Sequence, residues 1–115
     1  MFQRIDDPVS ISNEEIDKFV SEKILPIIQF SERCYSSEIL SMVDSLCLQY
    51  GDKLEVRFYS HWKKPFDAKV LKNIPNVRNL SLDCLDTITN PDKIGELEKL
   101  QALSFGVHYF DDKEF

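Results

Sequence analysis

Cys84 and His108 are the side chains best suited to covalent chemistry, a thiol nucleophile and an imidazole base on what reads as adjacent turns of a repeat. A third residue to orient the base is not evident, so the chain is read as a non-enzyme. A zinc site needs a close pair of ligands, as in C-x-x-C. Here Cys34 and Cys47 are 13 residues apart and His61 and Cys84 are 23 apart, so no zinc site is expected. Asp111-Asp112-Lys113-Glu114 is acidic but lacks the glycine and spacing of a calcium loop. The only glycines are Gly51, Gly95 and Gly106, too scattered for a phosphate-cradling loop. No cofactor is expected.

The residues suited to binding belong to a recurring phrase. Leu54-Glu-Val-Arg-Phe58, Arg78-Asn-Leu-Ser-Leu82 and Gln101-Ala-Leu-Ser-Phe105 carry the apolar pairs Val56/Phe58, Leu80/Leu82 and Leu103/Phe105 at offsets of 24 and 23. Ile94, Leu97 and Leu100 repeat Leu71, Ile74 and Val77 at the same offset of 23. A constant spacing of this kind predicts stacked units, each a strand and a return segment. Strand alternation would turn the apolar pairs inward. Arg57, Tyr59, Asn79, Ser81, Asp83 and Ser104 would then stand on the open sheet face. Strands stacked about 4.8 Å apart align Arg57, Ser81 and Ser104 in one row and Tyr59, Asp83 and Gly106 in the next. Arg and Tyr are enriched among binding hot spots. His61-Trp62 and His108-Tyr109 are placed at equivalent positions on the rim formed by the strand ends.

The flanking elements are locally encoded. Residues 1–11 read as an irregular lead-in. Ser12 and Glu15 form a capping box, with Ile11 and Ile16 as its hydrophobic staple, and Ile16, Phe19, Val20 and Ile24 give the buried stripe of a helix ended before Pro26. Ile27–Phe30 reads as a strand, with Ile28 matching Val56. Ser36 or Ser37 caps a second helix with the stripe Ile39, Val43, Leu46, Cys47 and Tyr50, stopped by Gly51. Phe66–Ile74 and Asp92–Leu97 read as short helices.

Val77-Arg-Asn-Leu-Ser-Leu-Asp-Cys-Leu85 and Leu100-Gln-Ala-Leu-Ser-Phe-Gly-Val-His108 resemble the leucine-rich repeat family, with apolar residues at the first, fourth and sixth positions of its phrase. Lys53–His61 fits less well. The family's ninth position is usually Asn or Cys, whereas here it holds His61, Leu85 and His108. The resemblance implies an α/β fold: a solenoid of about four parallel strands with convex helices, residues 1–26 as a helical N-terminal cap and 27–115 as the repeat domain. A small α/β sandwich is the alternative. It also implies protein recognition through the concave sheet face and the strand-end loops, with the partner unnamed. Two other functions are compatible. One is a toxin-neutralising, immunity-type protein. The other is a structural subunit, or a truncated repeat fragment, that associates through an uncapped C-terminal edge carrying Phe105, Phe110 and Phe115, for instance as a homodimer.

Composition narrows the classes further. The chain of 115 residues is 43% hydrophobic and 30% charged, which suits one soluble globular domain. Its net charge of −6 argues against nucleic acid as a partner. The charge is uneven: residues 53–82 carry 7 bases against 2 acids, with Lys53, Arg57, Lys63, Lys64, Lys69, Lys72 and Arg78 in that stretch. No run of apolar residues suits a membrane span, no secretory signal opens the chain, and three scattered cysteines fit a reducing, cytoplasmic setting.

Overall fold

The computed structural model describes residues 1–31 and 35–110, apart from the side chains of Cys84 and of residues 107–110. Ser12 begins helix α1 (Asn13–Ser21) by accepting the Glu15 amide at 3.2 Å, and Ile16 is its one fully buried residue. The helix ends in a Schellman turn. The Lys23 amide donates to the Val20 carbonyl and the Ile24 amide to the Phe19 carbonyl, with Lys23 left-handed at φ 59°. A side chain in that conformation costs about 1 kcal/mol. Lys23→Gly is therefore expected to stabilise the fold by about 0.5–1 kcal/mol in urea unfolding. A destabilised variant would contradict this turn geometry.

Helix α2 (Ser37–Tyr50) starts at Ser36, whose hydroxyl accepts the Ile39 amide at 3.3 Å. It buries Ile39, Val43, Leu46 and Cys47 as the spacing predicts, and Leu40 beside them. Gly51 stops it at φ 61°, where an added Cβ would press on the Arg78 side chain at 3.4 Å. No helix among the described residues is long and apolar enough to cross a membrane.

The strands β1 (Phe2–Asp6), β2 (Leu25–Phe30), β3 (Glu55–Phe58), β4 (Phe66–Asp67), β5 (Asn79–Thr89) and β6 (Ala102–Phe110) form a single six-stranded sheet. Every pairing is parallel, and β1, β2, β3, β5 and β6 lie side by side in chain order. The short β4 pairs with the far end of β5. Ile5, Ile28, Val56, Leu80 and Leu103 occupy one register row, the inner row that the spacing predicts. The return segments are 3₁₀ helices at Ala68–Asn73 and Pro91–Glu96. Residues 23 apart touch directly: the Asn90 amide group donates to the Asp67 carboxylate at 2.9 Å, and the Lys99 ammonium to the Asn76 side-chain oxygen at 2.6 Å.

One core holds the fold. Ile16 of α1, the buried face of α2, Ala68, Leu71 and Ile94 of the 3₁₀ helices, and the inner rows of the sheet belong to the same apolar cluster. Every described helix that buries apolar side chains therefore contributes to one side of the sheet. Parallel sheets are ordinarily covered on both faces; here the second face carries no described helix. Ile27 lies in the Arg4–Glu55 row of that second face and is absent from the core cluster.

Several expectations need correction. The lead-in 1–11 contains β1, so the sheet has more than about four strands and the segment 1–26 is not helical alone. Only Ile5 of β1 packs against the core, which is why its sequence carries no strand signature. Strand β2 begins at Leu25 and includes Pro26, which lies past the helix end rather than stopping it. The short helix expected at 66–74 is a strand of two residues followed by a 3₁₀ helix. Leu103 occupies an inner register position but is 41% exposed, because among the described residues β6 has a neighbouring strand on only one side. Only the backbone of Phe110 is described, and Phe115 lies outside the described residues.

Candidate functional site

The sheet face that carries no described helix is the candidate site. Register places Asp6, Gln29, Arg57, Ser81 and Ser104 in one row across β1, β2, β3, β5 and β6. Arg57 is the hub. Its Nε donates to Asp83 Oδ2 at 3.1 Å and its Nη1 to Gln29 Oε1 at 2.8 Å, while its guanidinium lies 5.0 Å from the centre of the Tyr59 ring. Gln29 Nε2 in turn donates to Asp6 Oδ1 at 3.2 Å, and the Tyr59 hydroxyl donates to the same oxygen. Four strands are thereby joined by one chain of side-chain hydrogen bonds.

The network is half-sheltered. In the Arg57–Asp83 pair the side chains are 17% and 32% exposed. Gln29 and Ser81 on the same face are buried, Ser81 donating to Glu55 Oε2 at 3.1 Å. Burial and then the bond to Asp6 push the Tyr59 phenol up to about 12, so it remains a donor across the physiological range. Beside this row the Asp7 carboxylate accepts both the amide and the hydroxyl of Ser31, at 2.8 and 2.9 Å. Among the described residues no buried side-chain polar atom lacks a hydrogen-bond partner. Such a surface is pre-ordered: its arginine and tyrosine are already held in one arrangement before anything docks.

The sequence-derived candidates separate into groups. Arg57, Tyr59 and Asp83 are brought together. Ser81 is on this face but lies under Glu55. Asn79 points its amide at the backbone of the preceding turn, donating to the carbonyls of Asp52 and Leu54 at 2.9 and 3.2 Å. Ser104 is exposed on β6, opposite Ser81.

His61 is not at the rim. It is 2% exposed, and its ring sits among those of Tyr35, Phe58 and Phe66 at centroid distances of 5.8, 6.5 and 5.3 Å. Nδ1 lies 2.8 Å from the Tyr59 carbonyl and so carries the donated proton, while Nε2 lies 3.1 Å from the Tyr35 hydroxyl. The imidazole thus satisfies loop backbone from inside the turn. Trp62 is the rim residue, 48% exposed beside Lys63 and Lys64. The side chains of His108, Tyr109 and Cys84 lie outside the described residues.

Asp6 and Gln29 are the members that sequence reasoning missed. Gln29 was readable as the one polar residue inside Ile27-Ile28-Gln29-Phe30; Asp6 had no comparable signal. Among the described residues no cluster of histidine, cysteine and acidic side chains could hold a metal ion. No protein-family model matches the chain, and neither a curated protein nor a solved structure was found to match it.

Proposed function

We propose that the chain is a short leucine-rich-repeat-like solenoid whose polar sheet face, with the loops at its strand ends, recognises a protein partner. The observation that carries this reading is the ordered row Asp6–Gln29–Arg57–Asp83 with Tyr59 above it. It is a polar surface of low side-chain entropy centred on the two residue types that most often anchor protein interfaces. Strands stacked in chain order, with hydrogen bonds between residues 23 apart, support the repeat. His61 supports it too, because it bonds the backbone of its own turn from the family's ninth position. The role is binding without catalysis. The buried, unpaired Cys47 suits a reducing, cytoplasmic setting.

The test compares wild type with an Arg57→Ala/Tyr59→Ala variant in affinity capture from the source cell, followed by titration of the captured protein. Loss of two hot-spot side chains is expected to weaken that complex about 30-fold or more. A partner held equally by both forms would move the site off this face.

A further inference from the structure

We infer that a second site, for a small amphipathic carboxylate, lies at the opposite end of the sheet from Tyr59 and Trp62. Val20, Lys23, Ile24, Leu25 and Lys53 line a cleft of about 410 Å³ there. That size falls in the usual range for small-ligand pockets. The cleft forms where α1 turns into β2 and where the chain enters β3, so two adjacent strands contribute their N-terminal ends. Its walls are apolar: Val20, Ile24 and Leu25 are each only half-buried, leaving hydrocarbon that the fold does not cover.

Its polar groups are of one sign. No carboxylate of a described residue lines the cleft, in a chain whose net charge is −6. Neither the Lys23 nor the Lys53 ammonium forms an ion pair or side-chain hydrogen bond with a described residue. Lys23 is also held where a side chain is disfavoured. It occupies the left-handed position of the Schellman turn, φ 59°, at which glycine is the unstrained choice. An apolar wall beside two cations that no described side chain engages matches a ligand with a hydrocarbon body and an anionic head. The lysine stems can cover the body while the ammonium groups meet the carboxylate.

Octanoate is the probe, titrated into the full chain with amide shifts followed by NMR; acetate and octanol separate the contributions of head and tail. Saturable shifts confined to residues 20–25 and 53 are expected, stronger for octanoate than for either control. Lys23→Gln/Lys53→Gln should weaken octanoate about tenfold while leaving distant amides unmoved. Lys23→Gly should weaken it as well, in a protein that is no less stable. The proposal is overturned by non-saturating or scattered shifts, by equal response to octanol, or by undiminished affinity in the double variant.

Discussion

Phe58→Ala is expected to cost about 3–5 kcal/mol, the range for emptying a fully buried aromatic site. Phe58 is 0% exposed and its ring centre lies 5.9 Å from Phe30, 5.3 Å from Tyr35 and 5.0 Å from Phe66. With His61 these rings join the end of β2, the end of β3 and the start of the next turn. The substitution would therefore leave a cavity whose walls come from three segments held in place by the same ring. A domain of this size has about 5–15 kcal/mol of total stability, so the loss would lower the melting temperature by about 10–20 °C. Urea unfolding followed by circular dichroism measures it. Phe2→Ala is the control, because that ring is 52% exposed and its removal should change stability by about 0.5 kcal/mol or less. Similar losses in the two variants would mean that the aromatic cluster does not hold the fold.

Alkaline titration should expose the second large effect. Burial, and then the charge of Asp44, push the Cys47 thiol from 9.0 up to about 12. The folded state then holds this proton more tightly than the unfolded chain does. The stabilisation is complete below pH 9 and is lost as pH rises from 9 toward 12. Three pH units at 1.36 kcal/mol each make the loss on the order of 4 kcal/mol. The Tyr50 phenol, raised to about 12 first by its bond to Asp17, and the Tyr59 phenol act in the same direction from 10.0. Urea midpoints should accordingly be flat near neutrality and fall steeply above pH 9. Cys47→Ala should start from a lower stability but decline with a shallower slope. An unchanged slope would remove Cys47 as the cause. The same burial predicts that the native thiol resists disulfide-exchange reagents at pH 8 and reacts once the chain unfolds.

The parts of this protein that were legible in the sequence are those set by local or periodic rules. Ser12 and Glu15 mark the start of α1, and Gly51 marks the end of α2, because caps and left-handed turns depend on a few adjacent residues. The 23- and 24-residue offsets place Val56, Leu80 and Leu103 in one row, because equivalent residues of stacked units must meet. Arg57 and Tyr59 were identifiable as residues of the open face from strand alternation alone.

Only the tertiary structure decided the rest. Strand β1 is polar except for Ile5, and its place comes from pairing with β2 rather than from its own pattern. The rim position assigned to His61 fails because Ser60 takes a left-handed turn at φ 54°, and beyond the end of β3 His61 makes an isolated parallel bridge to Leu85. That bend carries the imidazole inward to a tyrosine 26 residues earlier. The site network joins Tyr59 to Asp6 across 53 residues and Arg57 to Gln29 across 28. The Lys23–Lys53 cleft likewise exists only where two strand entrances meet. Local preferences and repeat spacing determine the helix caps and the strands β2, β3, β5 and β6, and which way their side chains face. Which polar side chains meet depends on neighbours that only the assembled sheet supplies, and no periodicity in the chain encodes those pairs.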